Sequence, residues 1–297
     1  MSLKIVVLAK QVPDTRNVGK DAMTAEGTVN RAALPAIFNP EDLNALEQAL
    51  RLKEQHPGST VGVLTMGPPR AGEIIRQGLY RGADTGWLLT DRLFAGADTL
   101  ATSYALSKVV EKLGNVDLVL CGRQAIDGDT AQVGPQIAEK LHIPQICYVE
   151  EVQELSAKSI RCRRAIEGGY EVLESPLPAL LTVIDANSPR PMNAKKIMKF
   201  KRSRTPGEVE KEHTNDNYTQ DAEAAVRELR AKGLLIEQYS AADIGAEPDR
   251  IGFAGSPTKV KQVMSVVLTA GEAKRISPDA AGIGGLIHEL ISDHTLG

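Results

Sequence analysis

VDLVLCGRQAIDGDTAQVG, residues Val116 to Gly134, decides the fold. Asp117 to Cys121 places four apolar residues between turn formers, the pattern of a strand buried on both faces of a parallel sheet. Gly122 ends that strand. At Asp127-Gly128-Asp129 the sequence predicts a turn, with Gly128 at positive φ and Asp129 capping a helix from Thr130 to Leu141. The first helical turn, Thr130-Ala131-Gln132-Val133, is small or neutral, and Gly134 adds no Cβ that would keep an anion from the free backbone N–H groups. Strand, loop and helix start together read as a phosphate seat. The same Gly and Asp residues would serve any strand-to-helix turn, and a helix terminus contributes only about 0.3–1 kcal/mol to an exposed anion. On the local pattern alone both readings stay open.

Outward from this stretch, the first half of the chain alternates. Lys4 to Lys10, KIVVLAK, predicts a first, central strand, and Gln11-Val12-Pro13-Asp14 turns away from it. Glu26 to Arg31 has the composition of a hairpin tip. Asn39-Pro40-Glu41-Asp42 starts a helix, with Asn39 as N-cap, Pro40 at the first position and two acids in the first turn. Strands at Ser59 to Met66 and Asp84 to Thr90, with helices at Ala71 to Arg81 and Ala97 to Leu113, complete a βαβαβαβα series through residue 141. Such a series implies a doubly wound, mostly parallel α/β sheet with right-handed crossovers. Ligands in these sheets sit beyond the carboxyl ends of the strands, near the switch in strand order. Those ends are Ala9-Lys10, Thr65-Met66-Gly67 and Gly122-Arg123, with Asn39 nearby, and their small residues favour a nucleotide lying against backbone.

From Gln145 the period changes. Gln145 to Leu155, Ser159 to Ile166 and Tyr170 to Glu174 predict an antiparallel extension, followed by a buried strand at Pro178 to Asp185. Residues 201–297 carry two amphipathic segments, a loop at Gly252 to Pro257 and an ambiguous stretch from Thr258 to Thr269. They are expected to form a C-terminal arm packing on another subunit, leaving 1–200 as the nucleotide-binding domain.

Several function classes are excluded by composition and missing motifs. A net charge of −3 over 297 residues argues against nucleic-acid binding, although six basic residues lie between Lys195 and Arg204. The three cysteines form no CxxC pair, which fits a reducing, cytoplasmic setting. The early apolar run, Ile5 to Ala9, is too short for a signal peptide or membrane span. The histidines lack ligand spacing, so no metal is expected, and no P-loop, GxGxxG or GxSxG motif is present. No catalytic side chain stands out, so the chemistry is expected to belong to a cofactor.

At this point KIVVLAKQVPDT, NPEDLNALE, VLTMGP, GRQAIDGDTAQVGPQIAE, NSPRPMNAKKIMKFK and GFAGSPTKV resemble, over nearly the whole chain, the beta subunits of electron transfer flavoproteins. The resemblance implies an adenine nucleotide alpha-hydrolase-like sheet and an alpha-subunit partner carrying its own FAD. In ordinary members the beta crevice holds an AMP with no redox role. In the electron-bifurcating branch it holds a second FAD that takes hydride from NADH. Gly128, Ala131 and Val133 remove bulk or polarity where AMP-type members resemble D-D-D-x-N-Q-T, so the signature looks like the bifurcating branch.

Carried over by position, the adenosine would meet Ala9, Asn39, Thr65, Met66 and Gly67. The phosphates would meet Asp129, Thr130, Ala131, Gln132, Val133 and Gly134, with Gly122 and Arg123 at the strand end. Arg123 would face flavin or NADH, or else be solvated or ion-paired. The family's partner-docking loop has leucine where Ala194 stands here, which points to an oxidoreductase other than the familiar acyl-CoA dehydrogenase, or one docked differently. The alternative is an adenine-nucleotide-binding module with no redox role.

Overall fold

The computed structural model describes residues 1–14, 35–184, 188–214, 221–259, 274–293 and 295–296. The expected hairpin tip at Glu26 to Arg31 and most of the ambiguous stretch from Thr258 to Thr269 lie outside these residues. In chain order the strands are β1 (Lys4–Leu8), β2 (Gln11–Pro13), β3 (Ala36–Phe38), β4 (Thr60–Met66), β5 (Thr85–Leu89), β6 (Leu118–Gly122), β7 (Gln145–Leu155), β8 (Ser159–Ile166), β9 (Gly169–Pro176), β10 (Ala179–Val183) and β11 (Glu237–Tyr239). The helices are α1 (Pro40–Gln55), α2 (Gly72–Arg81), α3 (Thr99–Leu113), α4 (Val133–Leu141), α5 (Ala194–Phe200), α6 (Pro206–His213), α7 (Ala222–Ala231) and α8 (Ala280–Ser292).

β1 is apolar along its whole inner length because both faces of the sheet are covered. Ile5 and Val7 join a core with Leu46 and Leu50 of α1 and Ile74 and Ile75 of α2. Val6 and Leu8 join the opposite core, with Tyr104 and Val109 of α3 and Ile137 of α4. The sheet runs β11-β5-β4-β1-β6-β10-β7-β8-β9. From β11 to β7 neighbours pair in parallel, while β7, β8 and β9 pair antiparallel, as the α/β reading with its extension expects. The chain moves outward from β1 to β4 and β5, then returns to the other side of β1 with β6. The strand order therefore reverses between β1 and β6, which fixes the crevice above their carboxyl ends.

Two compact units divide the chain. The first comprises Met1–Ala22 and Asn30–Lys261, so the boundary falls near Lys261 rather than at residue 200. Val209, Ile236, Ala241, Ile244 and Ile251 are all buried in it, and β11 adds to the sheet edge along β5. Apolar positions spaced through 201–251 gave no second α/β period because they complete an existing core. The second unit comprises Met23–Val29 and Gln262–Gly297. In it, Asp279 caps α8 by accepting from the Gly282 amide at 2.7 Å, and Ile283, Ile287 and Ile291 are exposed along the helix.

Val209, Ile236, Ile244 and Ile251 each contribute roughly 1.5–3 kcal/mol by burial, so together they rival a domain's whole stability. A chain ended after Lys259 is therefore expected to keep the cooperative thermal melt of the full chain. One ended after Phe200 is expected to melt far lower or not to fold, and equal melts for both truncations would contradict this.

Candidate functional site

The strand-end loop after β6 is where sequence and structure differ most. α4 begins at Val133, later than the expected Thr130, with Gln132 in the N-cap position. Gly128 does not take positive φ. Asp129 and Ala131 do, at 48° and 53°. Left-handed backbone costs a residue bearing Cβ of the order of 1 kcal/mol, and such strain gathers at functional sites. Asp129 does not cap the helix, and its carboxylate accepts from Gln124 Nε2 at 2.9 Å instead.

The consequence is a longer run of open donors than a helix start gives. The amides of Thr130, Ala131, Gln132, Val133 and Gly134 meet no acceptor among the described residues. Ala131 with positive φ followed by Gln132 in the right-handed region is the pairing that curves successive N–H groups into an anion-binding concavity. Thr99 Oγ1, at the start of α3, donates to Gln132 Oε1 at 2.7 Å and steadies the rim.

The remaining expected residues fall around the same crevice, in different roles. Ala9 is buried at the end of β1, its amide bonded to the Leu64 carbonyl. Thr65 is fully buried, and its Oγ1 has no hydrogen-bond partner. A buried hydroxyl left unpaired costs about 1–3 kcal/mol. Met66 and Gly67 are half-buried beside it in sequence. Gly122 and Gly134 are glycine for packing. A Cβ on Gly122 would lie 2.6 Å from the Glu41 backbone, and one on Gly134 would lie 2.8 Å from Cys121 Sγ. At Gly134 the missing Cβ also lets α4 press on the sheet.

Arg123 is ion-paired. Its Nη2 sits 2.7 Å from Glu41 Oε1. Asn39 occupies the N-cap position of α1 but makes no capping bond. Its side chain instead donates to the Gln124 carbonyl at 2.9 Å and accepts from the Ile126 amide at 3.2 Å.

Glu41 and Asp42 were read from sequence only as acids favouring a helix N-terminus. Glu41 Oε2 also accepts from the Gln124 amide at 3.0 Å. Asp42 accepts from the Lys10 amide at 2.8 Å and from the Gly122 amide at 3.0 Å. Burial raises its pKa from 3.8 to about 7, against the pull of those two amides and of the Asn39 side chain. Lys10 Nζ meets Asp127 Oδ1 at 2.6 Å. Burial also pushes the Cys121 thiol well above its usual pKa, which leaves it a core residue and no nucleophile. Among the described residues no group of His, Cys, Asp and Glu could hold a metal ion, and no helix is long and apolar enough to cross a membrane.

Fold and crevice together define an α/β protein whose strand-order switch carries a run of unpaired backbone donors. The sequence matches the electron transfer flavoprotein domain family over residues 26–206. It is 43% identical over 286 residues to the caffeyl-CoA reductase-Etf complex subunit CarD of Acetobacterium woodii, covering 96% of this chain and 92% of that protein. It is 44% identical over 261 residues to the electron transfer flavoprotein subunit beta of Clostridium acetobutylicum, covering 88% and 87%. Against the acryloyl-CoA reductase electron transfer subunit gamma of Anaerotignum propionicum it is 39% identical over 302 residues, covering 99% and 100%. The chain belongs to the electron transfer flavoprotein family and is of its beta-subunit type.

Two outcomes follow from the geometry. Gly134→Ala should lower the stability of the ligand-free chain by about 1–3 kcal/mol through overpacking, read as a shifted urea midpoint, whereas an unmoved midpoint would refute the packing role. Native Asp42 holds its proton up to about pH 7, while the unfolded chain releases it above 3.8. The native state binds more protons in that window, so the contribution of Asp42 falls as pH rises from about 4 to about 7. Relative to Asp42→Asn, wild-type stability should therefore decline across that window, by at most about 1.4 kcal/mol per pH unit. A difference that does not vary with pH would contradict the assignment.

Proposed function

We propose that this chain is the beta subunit of a heterodimeric electron transfer flavoprotein of the electron-bifurcating kind, with FAD rather than AMP in its crevice. The observation that carries the proposal is the run of open amides from Thr130 to Gly134, in a crevice whose Thr65 hydroxyl also lacks a partner. The residues fit a dinucleotide. Ala9, Asn39, Thr65, Met66 and Gly67 would form the adenosine side, and Asp129 to Gly134 the diphosphate side, with Gly122 and Arg123 at the floor. When bound, FAD would supply hydride acceptance from NADH and onward electron release.

The chain's own part is binding and exclusion. Uncharged N–H groups stabilise the diphosphate in place of water, and the nearby cations Lys10 and Arg123 are already engaged by Asp127 and Glu41. Exposed Gly128 leaves the outer side of the loop open. We place the alpha subunit, with its own FAD, against the second unit, whose exposed Ile283, Ile287 and Ile291 offer an apolar helix face. Two relatives are named as subunits of caffeyl-CoA and acryloyl-CoA reductase systems, which supports an oxidoreductase of that type as the further partner.

Denaturing the native alpha–beta complex and quantifying the released ligands tests the proposal. Two FAD per heterodimer are expected. One FAD with one AMP would assign the chain to the ordinary branch, and a nucleotide with no flavin would make it a non-redox module. Thr65→Val separates ligand from fold: it should leave the empty chain equally or slightly more stable, yet weaken FAD retention about tenfold. Unchanged retention would remove Thr65 from the site.

A further inference from the structure

The loop from Arg123 to Gln132 has no ladder of its own, and what fixes it comes largely from one helical turn. Asn39 holds Gln124 and Ile126, Glu41 holds Arg123 and Gln124, and Asp42 holds the amides at the ends of both strands that bound the crevice. We propose that Asp42 is the positioning residue of this crevice: by accepting the Lys10 and Gly122 amides together, its carboxylate sets the spacing of the β1 and β6 ends, and hence the aim of the amides that receive a diphosphate. The inference rests on the reading of the crevice as a nucleotide site and adds a means of regulating it.

The geometry makes the hold depend on a proton. An ionised carboxylate offers lone pairs to both amides at once. A protonated one carries hydrogen on one oxygen, and that oxygen becomes a poor acceptor for the amide facing it. One strand end is then released. Around Asp42 stand Asn39 and Glu41 at the start of α1, Lys10 after β1 and Cys121 of β6. Arg123 is engaged by Glu41 and Lys10 by Asp127, and buried Cys121 stays a neutral thiol. Burial brings the Asp42 pKa to about 7, so its charge changes within the physiological range. Nucleotide affinity should therefore rise with pH through neutrality, although the fold itself gains nothing from the ionised form.

FAD is the suitable probe, because its diphosphate diester has no ionisation near neutrality, unlike the phosphate of AMP. Full-length chain stripped of ligand is titrated with FAD at about pH 6 and pH 8, for wild type, Asp42→Asn and Glu41→Gln. Hydrogen exchange is followed in parallel over residues 122–134. Wild type should bind about tenfold more tightly at the higher pH, the scale of one charge-assisted hydrogen bond. Asp42→Asn, which presents a donor to one amide, should bind weakly at both and exchange faster in the loop. Glu41→Gln should weaken binding but keep the pH dependence.

An Asp42→Asn chain that binds as wild type at the higher pH, or retains its pH profile, overturns the proposal. So does a wild-type profile that is flat, or one abolished by Glu41→Gln. Should Asp42→Asn fail to fold, the wild-type and Glu41→Gln profiles still decide. Should wild type bind no FAD at all, the nucleotide reading fails. Loop exchange then decides the anchoring alone, with rates in wild type that do not change between the two pH values counting against it.

Discussion

One buried carboxylate meets the backbone at two strand ends, and the rest of the site is arranged around that contact. A parallel sheet leaves its carboxyl-end amides without ladder partners where the chain turns away, and at the strand-order switch two such ends diverge. Asp42 reaches both, Lys10 at 2.8 Å and Gly122 at 3.0 Å. It can do so because Gly122 lets the first turn of α1 approach so closely that any Cβ there would collide with Glu41. Burying the charge is costly, and the raised pKa of Asp42 records the cost. The return is a pair of strand ends tied to the first turn of α1.

Above that floor the polar groups divide into two sets. Lys10, Asn39, Glu41, Asp127 and the Nη2 of Arg123 satisfy one another or the loop backbone, which rigidifies the seat and lowers its net charge. The amides of Thr130 to Gly134, the Thr65 hydroxyl and Arg123 Nε are left over. Neutral donors converging on a site are suited to an anion that must be held without fixing a counter-charge beside it. That suits the proposed reading, in which the bound cofactor would change charge as electrons pass. Strained backbone at Asp129 and Ala131 keeps the donors presented where a relaxed helix start would bring fewer of them together.

Much of this was legible in the sequence, and the failures have a common cause. Apolar runs and glycine breaks gave the strands, the reversal at the extension and the crevice at the strand ends, because period and chain order follow from backbone geometry alone. Side-chain partnership does not. Asn39 looked like a cap because Asn-Pro opens helices, yet its amide is used by Gln124 and Ile126, far along the chain. Glu41 and Asp42 looked like acids suited to a helix dipole, while their partners lie beyond residue 120 or before residue 11. Gly128 looked like the left-handed residue, but that conformation falls at Asp129 and Ala131 instead. The place of residues 201–259 was hidden for the same reason: Ile236 and Ile251 complete cores begun some hundred or more residues earlier, and no local period marks that.

Residue-resolved amide exchange on the full chain, stripped of ligand and then reloaded with FAD, tests the central claim most directly. The account predicts that slowing on reloading is greatest at Thr130, Ala131, Gln132, Val133 and Gly134, with little change at the starts of α1 and α2. Bound FAD that leaves those amides exchanging at their empty-state rates, while protecting another part of the chain, would contradict it.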